Sequence, residues 1–216
     1  MKSQHKICGV VLAAGKSSRM GRDKALLPWP PEARDAGSAS GETLLSAVTA
    51  ALKPQANAVI VVAGRNAEAL APAVAACGAL LAVNPDADRG QFSSLQTGLR
   101  EAVNRGYDAA MITPVDCPPL SAATLELLCA AFEKAMAEGK WAVEPENNGR
   151  RGHPLLAGRE LIDAILSAPV TSNARSVKNE HREAIVYVPV IELLMSVDMN
   201  TPEEYEALSG DQRPGS

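Results

Sequence analysis

Apolar residues in this chain fall into short continuous runs, separated by longer stretches where they recur every three or four positions. Residues 6–13 form the first run, β-branched and nearly unbroken, as expected of a strand buried on both faces. Residues 42–52 have helical spacing between Gly41 and Pro54. Ala58–Ala63 predicts a second buried strand, 66–76 an alanine-rich helix ending near Gly78, and 79–83 a short third strand. Residues 92–104 predict a helix with Leu95, Leu99 and Val103 on one face. Residues 108–113 read as a fourth strand, stopped by Pro118–Pro119, and Ser121 caps a helix running to about Met136. Strands separated by helices of this length imply right-handed crossovers and a mostly parallel sheet.

The rhythm loosens after residue 140. A strand is expected over 141–144, a polar loop over 145–152, a helix over 160–166, a strand over 185–190 and a last helix over 202–208, with Thr201 as its N-cap. The expected organisation is one α/β domain over 1–208 and a disordered tail over 209–216, which has no apolar content. Residues 28–41, rich in Pro, Ala, Gly and Ser, read as an insertion loop, with a surface insertion preferred over a lid.

Composition narrows the function. With 46% hydrophobic residues among 216, the chain can bury a sizeable core. A balance of 21 basic against 25 acidic residues, net −4, argues against a nucleic-acid binder, and 3% aromatic content against a base-stacking surface. Cys8, Cys77, Cys117 and Cys129 lack metal or disulfide spacing and read as reduced thiols of a cytoplasmic protein. The apolar run at 7–15 is far shorter than the roughly 20 residues of a spanning helix. The basic residues after it, with no cleavage site, argue against a signal peptide. No membrane partner is expected.

In parallel sheets ligands bind outside the carboxyl ends of the strands, which selects the loops at 14–24, 63–66, 84–91 and 114–119. The first carries Leu12-Ala-Ala-Gly-Lys-Ser-Ser-Arg-Met-Gly-Arg-Asp-Lys24. Gly15 and Gly21 permit close backbone approach, successive N–H groups can form an anion cradle, and Arg19 and Lys24 add fixed positive charge. Ser17 and Ser18 add hydroxyl donors, and the whole suits a polyphosphate. It is not a P-loop, because position 10 is valine where that motif needs glycine, and no dinucleotide fingerprint is present. Gly64 ends the second strand near the same crevice and reads equally as a turn glycine. Asp116 lies at the sheet's carboxyl edge, just past the fourth strand. Ser93 and Ser94 open a helix, where they can cap it or meet an anion. His153, one of three histidines, reads by itself as structural or exposed.

The first loop resembles the signature of nucleotidyltransferases with the glycosyltransferase-A-type fold, and more narrowly the molybdenum cofactor cytidylyl- and guanylyltransferases. The resemblance continues through Asn84-Pro-Asp-Ala-Asp-Arg-Gly-Gln-Phe-Ser-Ser-Leu-Gln-Thr-Gly98, Pro114-Val-Asp-Cys-Pro-Pro119, Arg151-Gly-His-Pro-Leu155 and Val197-Asp-Met-Asn-Thr-Pro-Glu-Glu204, in family order. It implies a three-layer Rossmann-like fold. Leu12, Ala13, Ala14, Gly15 and Asn84 would contact the nucleotide, Asp116 and Asp198 would hold Mg²⁺, and Arg19, Lys24 and Asp116 would act in catalysis. It further implies an NTP and a phosphorylated acceptor, molybdopterin, as substrates, with Ser93, Ser94 and His153 on the acceptor side, His153 equally readable as structural, and a molybdoenzyme or chaperone as a further partner. The insertion departs from the family pattern and bears on the acceptor. Ala14, where the guanylyl branch tends to have glycine, favours CTP over GTP. An acceptor phosphate is largely ionised at neutral pH, so no dedicated base is required. A sugar- or polyol-phosphate nucleotidyltransferase and a non-catalytic nucleotide-binding regulator are the alternatives.

Overall fold

The computed structural model describes residues 5–15, 23–31, 42–192, 195, 199 and 201–208. Arg19, Asp198, the interior of the insertion and the 209–216 tail lie outside the described residues. Strands β1 (Ile7–Leu12), β2 (Ala58–Ala63), β3 (Leu80–Val83) and β4 (Ala109–Pro114) pair in parallel, linked through α1 (Leu44–Leu52), α2 (Ala67–Ala76) and α3 (Gln91–Asn104). There follow α4 (Ala122–Ala137), β5 (Ala142–Asn147), β6 (Arg150–Arg151), β7 (Leu155–Ala157), α5 (Arg159–Ser167), α6 (Ala174–Glu180), β8 (Ile185–Pro189) and α7 (Pro202–Ala207). One eight-stranded, mostly parallel sheet results, in the order β3-β2-β1-β4-β7-β5-β6 with β8 against β5. Strand β7 runs antiparallel to both β4 and β5.

The three layers follow from strand alternation. All six residues of β1 are buried. Ile7 and Val11 join one core with Leu44, Leu45 and Val48 of α1, Leu70 of α2 and Phe132 of α4. Cys8, Val10 and Leu12 join the other with Leu95 and Leu99 of α3 and Ile162 of α5. A strand with water on neither side needs apolar residues at consecutive positions, which is why its periodicity vanishes. Among the described residues, no helix is long and apolar enough to cross a membrane.

Two expectations change beyond β4. The polar segment at 145–152 is largely strand: β5 continues to Asn147, and Asn148 and Gly149, both at positive φ, turn the chain back into β6. Asn-Gly favours this turn, so the hairpin signal was present within a polar stretch. Strand β7 is too short to show a period. Helix α6 shows little apolar pattern because a buried ion pair, Lys178 to Glu144 of β5 at 2.5 Å, contributes to its docking.

Register brings the site loops together. Leu12 stands level with Val62 on one side and Pro114 on the other, and Ala63 with Val83. The segments leaving β1, β2, β3 and β4 therefore emerge on one edge. Helix α3 lies close on the sheet beneath them: a Cβ on Gly98 would stand 2.6 Å from Val10 Cγ1 and 2.7 Å from Val62 Cγ2. Gly98→Ala is expected to lower stability by about 1–3 kcal/mol through overpacking. Chemical denaturation checks this, and an unchanged midpoint and slope would contradict the close-packed account of α3.

Candidate active site

The carboxyl ends of the strands are laced together by hydrogen bonds. Ala13 donates its N–H to Val62 O at 2.8 Å, and Val115 donates to Leu12 O at 3.0 Å. Asn66, just past β2, joins three segments. Its Oδ1 accepts from Gly64 N at 3.0 Å, and its Nδ2 donates to Ala13 O at 2.9 Å and to Asp23 Oδ2 at 2.6 Å. Gly64 serves close approach, since a Cβ there would lie 2.7 Å from Ala87 Cβ and 3.2 Å from Ala14 O.

Asp23 passes this order on to Lys24. Its Oδ1 accepts from Ala25 N at 3.0 Å, capping a one-turn 3-10 helix over Lys24–Leu26. Lys24 Nζ then donates to Asp116 Oδ2 at 2.9 Å across 92 residues of sequence. The two side chains are 13% and 24% exposed, so the pair is shielded but still open to a ligand on one side. The other oxygen of Asp116, Oδ1, makes no hydrogen bond among the described residues. Met199 donates its N–H to Asp116 O at 3.2 Å, which brings the residue following Asp198 against the Asp116 loop. Together these groups offer an ammonium, a carboxylate and the backbone of residues 13–15 on one edge. That set suits a polyphosphate with a divalent cation.

Asn84, Ser93 and Ser94 meet each other. All three are buried, and Asn84 Nδ2 donates to Ser93 Oγ at 2.9 Å and to Ser94 Oγ at 3.0 Å. Asn84 Oδ1 accepts from Asp86 N, and Ser93 Oγ donates to Gly90 O at 2.8 Å. The buried Asn84 side chain thus ties the start of the exposed loop between β3 and α3 to the first turn of that helix. His153 lines a small cavity with Thr113, Cys117, Pro118 and Leu120, beneath the Asp116 loop.

Thiol chemistry is disfavoured at two positions: burial pushes Cys8 up to about 12 and Cys129 up to about 11. No cluster of three or more His, Cys, Asp or Glu suited to a metal occurs among the described residues. Mg²⁺ does not need one, since it takes one or two carboxylates and completes its shell with water and phosphate oxygens. Sequence reasoning missed Asp23 and Asn66. Their signals were an Asp placed to cap the turn bearing Lys24, and an Asn three residues past a buried strand, both ordinary capping positions.

The sequence matches the MobA-like NTP transferase domain over residues 9–185. It is 30% identical over 218 residues to a molybdenum cofactor guanylyltransferase of Xanthomonas euvesicatoria, covering 96% of this chain and 97% of that protein. It is 25% identical over 197 residues to the molybdenum cofactor cytidylyltransferase of Escherichia coli, covering 91% and 92%. The structure resembles that of Rv0371c from Mycobacterium tuberculosis, with a TM-score of 0.76, 23% identity, and 96% and 98% of the two chains covered.

The Asn66 junction predicts a pH-dependent substitution. Asn66→Asp keeps an acceptor for Gly64 but sets a carboxylate against Ala13 O and Asp23 Oδ2, where the amide donated. Repulsion raises the folded-state pKa of the introduced carboxyl above its unfolded value near ~3.9. Its protonated form therefore supports the fold below that unfolded value, and the support is lost as pH rises through the folded value. Stability relative to the parent chain should be lowered near neutrality, by about 1–3 kcal/mol, and recover on acidification. Denaturation midpoints of both proteins across pH check this; a gap independent of pH would contradict it.

Proposed function

The chain belongs to the MobA-like NTP transferase family, and on that premise we propose that it moves a nucleoside monophosphate from an NTP onto the phosphate of molybdenum-bearing molybdopterin. An acceptor phosphate oxygen attacks the α-phosphorus, forming a new P–O–P linkage. The α–β bridge breaks, and its electron pair leaves with pyrophosphate. The observation that carries this reading is the Lys24–Asp116 contact at the carboxyl edge, beside the backbone of residues 13–15. The acceptor phosphate is already ionised at neutral pH, so the protein has only to align two anions and stabilise developing charge.

Asp116 fits a divalent cation on its own geometry: partly exposed, at a strand's carboxyl edge, with one oxygen uncommitted within the described residues. Mg²⁺ held there, with Asp198 as second ligand, would supply positive charge to the α-phosphate and the departing pyrophosphate. Lys24 serves as the protein's own cation on the triphosphate, and Arg19 as a second. Leu12 to Gly15 present backbone to base and ribose. Asn84, bonded to Ser93 and Ser94, stands on the nucleotide side, and Ser93, Ser94 and His153 on the acceptor side. Sugar-phosphate acceptors remain the alternative within the same chemistry.

Base choice rests on Ala14. Its carbonyl and methyl pack where Gly64 leaves room, which fixes the backbone of this segment; the added bulk of an alanine where the guanylyl branch tends to have glycine disfavours the wider purine. CTP is the favoured donor on this argument. The guanylyl reading is supported by relatives, since the Xanthomonas protein that spans nearly the whole chain is named a guanylyltransferase.

Three measurements test the proposal. Asp116→Asn should fold yet lose about 10²–10³ in kcat, read by pyrophosphate release at saturating Mg²⁺; near-normal turnover would remove Asp116 from the site. Lys24→Ala should weaken binding of a non-hydrolysable NTP, while Lys16→Ala should matter less. Equal affinities in titration calorimetry would remove the loop from the mechanism. Across four NTPs, kcat/KM should favour CTP over GTP by about 10–200-fold, with Ala14→Gly relaxing the preference. A preference for GTP would establish the guanylyl reading.

A further inference from the structure

We propose that Tyr205 is a positioning residue that sets where Lys24 stands relative to Asp116, an inference that rests on the site proposed above. Tyr205 lies on α7, far from the phosphate loop in sequence, and its ring is buried in the same core as Ala25, Leu27 and Met199. Its hydroxyl donates to Pro28 O at 2.5 Å. Pro28 follows Leu27, whose N–H donates to Lys24 O at 3.1 Å, so this carbonyl sits at the end of the turn that carries the lysine.

The other end of α7 reaches Asp116. Thr201 and Glu204 form a reciprocal capping box, with Glu204 N donating to Thr201 Oγ1 at 3.2 Å and Thr201 N donating to Glu204 Oε2 at 3.0 Å. Tyr205 N donates to Thr201 O at 3.1 Å, which fixes the tyrosine on this cap. Two residues upstream of the cap, Met199 N donates to Asp116 O at 3.2 Å. The Lys24–Asp116 contact at 2.9 Å closes the circuit.

Three segments distant in sequence thus meet in a triangle: the Lys24–Pro28 turn, the Asp116 loop and α7. Without the Tyr205 hydroxyl, the turn keeps its Asp23–Asn66 anchor behind the lysine and its bonds to the start of α1 ahead of it, Leu44 N to Leu27 O at 2.8 Å and Trp29 N to Glu42 O at 3.0 Å, but loses its tie to α7. The turn is then no longer registered through α7 to the Asp116 loop, and the separation of ammonium and carboxylate loses that constraint. A phenylalanine fills the same core volume, so the hydroxyl's part in this is separable from the ring's part in stability.

The test compares the parent chain, Tyr205→Phe, Lys24→Ala and the double variant. The readouts are binding of a non-hydrolysable CTP analogue with Mg²⁺ and steady-state pyrophosphate release. Tyr205→Phe should weaken binding about threefold to tenfold, the worth of one buried hydrogen bond. In turnover the change should fall on KM for the NTP and not on KM for the acceptor. In the Lys24→Ala background the same substitution should change binding by less than about twofold, because the group it positions is gone. Thr201→Ala, which unties the capping box at the other end of α7, should show the same loss of effect and covers the case in which Tyr205→Phe folds poorly. An equal effect in both backgrounds, or none in the parent, would overturn the positioning role while leaving the site intact. If Lys24→Ala alone binds as tightly as the parent, the site reading fails and the inference falls with it.

Discussion

Strands buried on both faces leave their backbone groups nowhere to go at the sheet's edge except to one another, and the site is built from that constraint. Where β1, β2 and β4 end, their N–H and C=O groups are out of reach of the regular ladder and still close to the core. The chain satisfies them with Val62 O, Leu12 O and the Asn66 amide. Each of these bonds also fixes a loop. An unsatisfied buried polar group costs about 1–3 kcal/mol, so the loops are held by the same requirement that holds the sheet. Lys24 inherits its place from this network through Asp23, and Asp116 through the end of β4.

Close approach is the second condition. Gly64 lets the loops after β1 and β3 close in on the end of β2, and Gly98 lets α3 settle onto Val10 and Val62. Both glycines have ordinary backbone angles, so their value is the missing Cβ. A larger residue at either position would push apart the elements that carry the chemistry. The Asn84–Ser93–Ser94 knot shows the same economy, since its polar atoms stabilise the wall of the crevice from within.

The parallel half of the fold was legible because its strands are long, apolar and separated by amphipathic helices; Ala58–Ala63 agrees to the residue. The half after β4 was less so. Strand β7 has three residues, too few for a period, and α6 docks partly through Lys178 and Glu144, which a reading by hydrophobicity passes over. Lys24 and Asp116 were both singled out by their positions, yet nothing local predicts that they meet across 92 residues. Nor does anything local predict that the Ser93 and Ser94 hydroxyls accept from Asn84. Asn66 was hidden by being ordinary, an asparagine at a helix start, two of whose three partners, Ala13 and Asp23, are remote in sequence.

If the edge bearing Lys24 and Asp116 receives a triphosphate, a crystal structure of the chain with Mg²⁺ and a non-hydrolysable CTP analogue will have the triphosphate over the carboxyl ends of β1 and β4, Lys24 on its oxygens, Asp116 on the metal and the base beside residues 12–15. A nucleotide bound elsewhere on the chain, or at this edge with Lys24 and Asp116 turned away from it, would refute the assignment.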